Sequence, residues 1–301
     1  MKPIVVVGSY LTAVMMRVDR LPKTGETVVG SRYRRVPGGK GSNQAVAVRR
    51  LGGKASIVAC VGFDEDGDQA LAMWQREGVD ASQVKRTPRH TGLGFVIVDC
   101  GGANSIAIVP GASWDLGPPD IGRAAGTIAL SGTMLIQLEV PPETVAAAKR
   151  SAKEHGLTVI LNPAPSGGGA IDLSGVDVVT PNEEEFRVLT GGDDFEQGAR
   201  ALLSKGAKAV VVTLGSRGAR VMTQGDSYAV PAPSVKAVDT TGCGDVFNAA
   251  LAVALGEGEP LRQAVRFANY AGALCASKEE AVAAIPGRGE VDGFLRSDLL
   301  E

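Results

Sequence analysis

The chain has 301 residues, 44% of them hydrophobic and 21% charged, with 31 Lys and Arg against 33 Asp and Glu and a formal charge of −2. That supplies a large core and no net field for a polyanion, so a dedicated nucleic-acid or anionic-membrane binder is disfavoured and the expected partner is a small molecule. The 40 glycines lie between apolar segments, which rules out disorder and collagen-like repetition. Cys60, Cys100, Cys243 and Cys275 stand far apart with only His90 and His155 to assist, which argues against a zinc site and a disulfide scaffold. No stretch reaches the ~18 apolar residues of a membrane span, and the first residues lack a signal-peptide core. A cytoplasmic setting is expected.

Taken in chain order, short β-branched runs alternate with longer amphipathic stretches. Strands are expected at 4–7, 55–60, 134–138, 158–161, 176–180 and 209–214. Helices are expected at 43–51, 68–77, 142–154, 183–189, 195–205, 245–255 and 261–277. This is the pattern of an α/β fold with a mainly parallel sheet covered by helices on both faces. Corners at 163–169 and 231–234 read as connections. Two stretches, 10–36 and 91–109, break the alternation. The second reads as an antiparallel hairpin around Gly101-Gly102-Ala103-Asn104. Such strands do not easily join a parallel sheet, so a small accessory sheet is expected, within one domain spanning 1–301.

Four segments carry chemistry. Gly38-Gly39-Lys40-Gly41-Ser42-Asn43 allows close backbone approach to a ligand, yet its spacing is not that of a P-loop. In Asp239-Thr240-Thr241-Gly242-Cys243-Gly244-Asp245, small residues precede a carboxylate at a helix start. Backbone N–H groups there can hold an anion beside a group that accepts a proton, which is what phosphoryl transfer to a hydroxyl needs; equally, Asp245 can simply cap the helix. Asn182 and Glu185, at a strand end, are suited to phosphate and hydrated Mg²⁺, or to an acidic first turn that favours the helix dipole. Thr213-Leu214-Gly215-Ser216-Arg217-Gly218 is either a ligand loop or a plain hairpin turn.

In order and spacing these segments resemble the ribokinase-like (PfkB) carbohydrate kinases, nearest to the ribokinase type. The resemblance runs from Ile4 to Pro286 and includes Gln137-Leu138-Glu139 and Asn162-Pro163-Ala164-Pro165. It implies an ATP- and Mg²⁺-dependent kinase acting on a sugar's primary hydroxyl, with a lid sheet within 10–37 and 91–110 that often pairs two subunits into a homodimer. By that resemblance Asp245 is the catalytic base, and the N–H groups of Gly242, Cys243 and Gly244 form the anion hole. Gly39, Lys40, Asn43 and Glu139 match sugar-contacting positions. Asn182, Glu185, Thr213, Gly215, Ser216, Gly218 and Asn269 match nucleotide or Mg²⁺ positions. Asp239 and Thr241 match a monovalent-cation site.

The chain departs from the pattern at three places. In Gly8-Ser9-Tyr10-Leu11-Thr12-Ala13, Leu11 and Ala13 stand where the family has a sugar-binding Asn and Asp. Plain ribose is therefore not the expected substrate; a sugar lacking a hydroxyl there, or a nucleoside, is. Cys243 replaces a small residue, and no partner thiol is evident. Glu280-Ala281-Val282-Ala283-Ala284 loses the Gly and Ser of the cation loop, which leaves a K⁺ requirement open. A nucleoside kinase of the same fold and a non-catalytic sugar-binding regulator are the rivals. A nicotinamide oxidoreductase fails for want of G-x-G-x-x-G after the first strand.

Overall fold

Strand β1 (Ile4–Val7) is buried along its whole length, and its side chains alternate between two cores: Ile4 and Val6 enter one apolar cluster, Val5 and Val7 the other. The same division runs through a computed structural model that describes residues 1–101, 104–167, 171–278 and 281–298. In it β4 (Ala55–Val58), β9 (Thr133–Ile136), β10 (Thr158–Leu161), β11 (Val178–Val179) and β12 (Ala209–Thr213) join β1 in parallel. The antiparallel strands β13 (Ala219–Thr223) and β14 (Ser227–Val230) close one edge, and the order is β14-β13-β12-β11-β10-β9-β1-β4. Helices Lys40–Arg50, Cys243–Gly256 and Leu261–Ala276 cover the first cluster. Helices Pro142–Glu154, Glu183–Thr190 and Phe195–Ser204 cover the second.

A separate four-stranded sheet has the order β3-β2-β7-β8, from β2 (Leu11–Arg17), β3 (Arg32–Gly38), β7 (Gly92–Val98) and β8 (Asn104–Val109). It is the expected accessory sheet, and β7 and β8 are antiparallel as the hairpin reading required. Gly102 and Ala103 of its turn, Gly168 and Gly169 of the 163–169 corner and Glu280 of the altered cation loop lie outside the described residues. The lid is tied to helix Glu65–Glu77 through Asp66, which accepts from Thr12 Oγ1 at 2.9 Å and from Arg35 Nη2 at 2.6 Å. Tyr10 and Trp74 pack edge to face at 5.5 Å beneath it.

The main sheet is mostly parallel, as expected, and β13 returns directly from β12 to extend its edge without a crossover. Two expectations are corrected. The expected strand 55–60 divides into β4 and β5 (Cys60–Gly62), the latter pairing with β6 (Lys85–Thr87) in a sheet of its own. The helix expected from 43 begins at Lys40, since the glycines around Lys40 serve close packing and not a loop.

The parallel strands place their C-terminal ends together. Ser9 follows β1, Gln137 and Glu139 follow β9, Asn162 follows β10, and Thr180 and Asn182 follow β11. Ligands of open α/β sheets sit outside those ends.

Candidate active site

Gly242, at φ 80°, turns the chain into helix Cys243–Gly256 and makes no side-chain cap. Asp245 is therefore the third helical residue and not its cap, and its carboxylate is spent on long-range partners. Oδ2 accepts from Asn43 Nδ2 at 2.8 Å and Oδ1 from Gln44 Nε2 at 3.2 Å. The side chain is buried, and burial raises its pKa above the ordinary 3.8 against the opposing pull of Lys40, Asn43 and Gln44. Around it, the first-turn N–H groups of Gly242, Cys243 and Gly244 face no acceptor four residues back in the helix. That of Cys243 makes a long bond of 3.3 Å to Thr240 O.

On the sheet side, Glu139 Oε2 accepts from the Lys40 N–H at 2.9 Å and from the Ser9 hydroxyl. Burial raises the Glu139 carboxyl, with Lys40, Ser9 and the backbone opposing. Desolvation pulls the Lys40 ammonium down, but the fields of Asp245, Glu139 and Glu185 outweigh it and leave it above its ordinary value, charged at neutral pH. Asn43 donates to Asp245 while its own Oδ1 is buried without a partner among the described residues. Gly39, Lys40, Asn43, Glu139 and Asp245 thus converge as the sequence reading expected.

The approach that permits this convergence needs glycine. A Cβ on Gly39, at φ 89°, would lie 2.7 Å from Tyr10 Cα. One on Gly41 would lie 2.6 Å from Ser9 N and 2.7 Å from Gly8 C. Helix propensity alone makes Gly→Ala stabilising by ~1 kcal/mol, but backbone cannot yield here. Gly41→Ala is expected to destabilise by about 1–3 kcal/mol net, seen as a lower Tm in thermal unfolding; a raised Tm would contradict this packing.

Leu11 and Ala13 lie on one face of β2. Leu11 is nested among Gly38, Gly92 and Gly94, where Cβ atoms would come within 3.1–3.2 Å of it. Tyr10 is buried against Trp74.

Past the helix start, a cavity of about 600 Å³ opens. Asn182, Thr213, Gly215, Ser216 and Gly218 line one side, Cys243, Gly244 and Asn269 the other. The Thr213–Gly218 segment is a turn joining β12 to β13, and four of its residues line the cavity. Asn269 Nδ2 donates to Val230 O at 2.9 Å and Pro231 O at 3.2 Å, fixing the strand end beside the cavity. Glu185 and Asn182 cap their helix reciprocally: Asn182 N–H donates to Glu185 Oε2 at 2.9 Å and Glu185 N–H to Asn182 Oδ1 at 2.8 Å. Burial raises the Glu185 carboxyl, against its bond to the Asn182 backbone and the field of Lys40.

Asp239 Oδ1 accepts from the Thr241 N–H at 2.9 Å. Among the described residues no cluster of three metal-ligating side chains forms.

Sequence reasoning missed the apolar walls Ala232, Phe247, Gly272, Ala273 and Ala276, whose residue types carry no signal of their own. It also missed Ser9, Gln44 and the partner of Cys243. The buried Cys275 thiol is pushed up by the nearby Cys243 and by desolvation, so Cys243 does have a thiol neighbour. Among the described residues, no helix is long and apolar enough to cross a membrane.

The chain is similar along almost its whole length to known sugar kinases. It is 36% identical over 301 residues to ribokinase of Haemophilus influenzae, covering 98% of each chain. It is 36% identical over 280 residues to deoxyribokinase of Salmonella typhi, covering 89% of this chain and 91% of that one. A solved structure of Arabidopsis thaliana ribokinase complexed with ribose and ATP superposes with a TM-score of 0.89 at 33% identity, covering 98% and 99% of the two chains. Residues 1–288 match the pfkB family carbohydrate kinases. With its lidded α/β fold and the residues gathered beneath the lid, the chain belongs to that family and is an ATP-dependent carbohydrate kinase.

Proposed function

We propose that this kinase phosphorylates the primary hydroxyl of a pentose or related sugar that presents no hydroxyl to Leu11 and Ala13, a deoxypentose being the favoured class. The observation that carries this reading is a contrast in chemistry: Lys40, Asn43, Glu139 and Asp245 form a hydrogen-bonded polar group, whereas the lid positions taken to face the sugar, Leu11, held between Gly38 and Gly94, and Ala13, have no acceptor to offer. A sugar hydroxyl buried there without a partner would cost about 1–3 kcal/mol. A relative that is a deoxyribokinase supports the choice.

In this reading the primary hydroxyl oxygen attacks the γ-phosphorus while Asp245 takes its proton, and ADP leaves into the cavity lined by Thr213 and Asn269. The N–H groups of Gly242, Cys243 and Gly244 hold the charge on the transferred group. The oxygen donors of Asn182 and Glu185 fit the water shell of Mg²⁺, which when bound with ATP neutralises phosphate charge. The charged Lys40 balances Asp245 and Glu139 and attracts the phosphate chain.

The lid also supports a homodimer. Beyond Leu11 and Ala13, directly opposed residues place Met15, Arg34, Val96, Ile106 and Ile108 on one face, with Ile106 55% and Ile108 44% exposed. Ile106→Asp is expected to halve the mass measured by light scattering; a wild type already monomeric at micromolar concentration would contradict the dimer.

ADP release with Mg·ATP over pentoses, deoxypentoses, hexoses and nucleosides tests the function, with phosphorus NMR of the product. A phosphate ester on the primary carbon of a deoxy sugar is expected. Preferential turnover of nucleosides, or ATP binding with no turnover of any sugar, would overturn the reading.

A further inference from the structure

Beneath Asp245 lies a chain of buried amides that the reaction as described does not use. Gln44 Nε2 donates to Asp245 Oδ1 at 3.2 Å and stands 3.4 Å from Asn162 Oδ1. Gln44 Oε1 accepts from Gln137 Nε2 at 2.5 Å. Asn162 Nδ2 reaches Thr180 O at 3.5 Å, the Thr180 hydroxyl donates to Asn248 Oδ1 at 2.6 Å, and Asn248 Nδ2 donates to Gly244 O at 2.8 Å. Gln44 and Gln137 are fully buried. The three residues that follow β9, β10 and β11 thereby join the helix that carries Asp245 to the sheet.

The chain has one polarity. An ionised carboxylate has no proton to give, so Gln44 must present its NH₂ to Asp245; its carbonyl then faces Gln137, which must present NH₂ in turn. Gln137 Oε1 is left buried and without a donor, pressed so closely on Gly8 that a Cβ there would lie 2.1 Å away. An unsatisfied buried acceptor destabilises a fold, so stability alone gives no reason for this arrangement, whereas fixing Asp245 does.

Resting on the reading of Asp245 as base, we infer that Gln44 is a positioning residue: held in one amide orientation by Gln137, it pins the Asp245 carboxylate in the rotamer that faces the sugar hydroxyl. Asn43 secures the other oxygen and also faces the sugar, so Gln44 and Gln137 are the members that act through Asp245 alone.

The test uses the full chain with Gln44→Met, Gln137→Met and Asp245→Asn, singly and combined, assayed with radiolabelled ATP. Gln44→Met is expected to lower kcat about 10- to 100-fold, with KM for sugar and for ATP within about threefold of wild type. Gln137→Met should give a smaller loss of the same kind, and the double variant no more than Gln44→Met alone. In the Asp245→Asn background the Gln44→Met loss should vanish. A folded Gln44→Met with kcat within about threefold of wild type, or a loss that persists in Asp245→Asn, overturns the inference. Should Gln44→Met fail to fold, Gln137→Met decides: unchanged kcat at unchanged Tm overturns it. Full activity in Asp245→Asn would instead overturn the base itself, a failure separable from that of Gln44.

Discussion

Asp245→Asn is expected to lower kcat about 10²- to 10⁴-fold, the range lost with a general base, while ATP still binds and the Tm falls by the few degrees that one buried donor without an acceptor produces. The substitution keeps the volume and an acceptor for Asn43, but it turns an NH₂ toward the Gln44 NH₂ and removes the negative charge beside Lys40 as well as the capacity to hold a proton. The pH dependence follows from the direction of the shift. Burial places the carboxyl above its ordinary 3.8, and only the ionised form accepts a proton. Activity therefore falls as pH drops, and it starts to fall at a higher pH than for an exposed aspartate. Burial raises the Glu139 carboxyl as well. A limb in kcat/KM that persists in the residual activity of Asp245→Asn belongs to Glu139; one that disappears belongs to Asp245. A profile flat down to the ordinary aspartate range would contradict the base assignment.

The second large effect is a change of sugar preference. Leu11→Asn combined with Ala13→Asp supplies the two missing acceptors, and Asn replaces Leu without added volume in the niche formed by Gly38, Gly92 and Gly94. A hydrogen bond to a charged acceptor contributes about 1.5–3 kcal/mol, so kcat/KM for D-ribose should rise about 10- to 100-fold. The deoxy substrate, offering nothing to the new carboxylate, should lose activity because the charge remains unpaired beside it. Steady-state kinetics on both sugars checks this. A double variant whose ratio of ribose to deoxyribose activity equals that of wild type would show that these positions do not read the sugar.

Much of the fold was legible because its parallel strands are buried on both faces and read as unbroken apolar runs. Ile4–Val7 and Thr158–Leu161 fall where expected, as does helix Pro142–Glu154. The edge strands β13 and β14 were not legible, because Ala219–Thr223 and Ser227–Val230 mix polar and apolar residues without a burial rhythm of their own. The glycine-rich turn misled at its boundary: Gly41 looks like a loop residue, yet it sits in a helix whose glycine is required by contact with β1. In the site, residues with charge or a motif position were visible, from Lys40 to Asp245. Gln44, Gln137 and Asn162 were not, although two of them stood inside quoted motifs, because an amide has no charge and its role exists only once three strand ends meet. Cys275 escaped for a similar reason: its neighbour Cys243 lies 32 residues away and only the packing of two helices unites them.

The most direct test of the substrate assignment is a competition assay in which wild-type enzyme, Mg·ATP, 2-deoxy-D-ribose and D-ribose react in one vessel and the two phosphorylated products are quantified together. An excess of the deoxy product of about tenfold or more, corresponding to one buried hydroxyl left without its partner, is the result predicted from Leu11 and Ala13. An excess of ribose phosphate would contradict it and return the substrate to plain ribose.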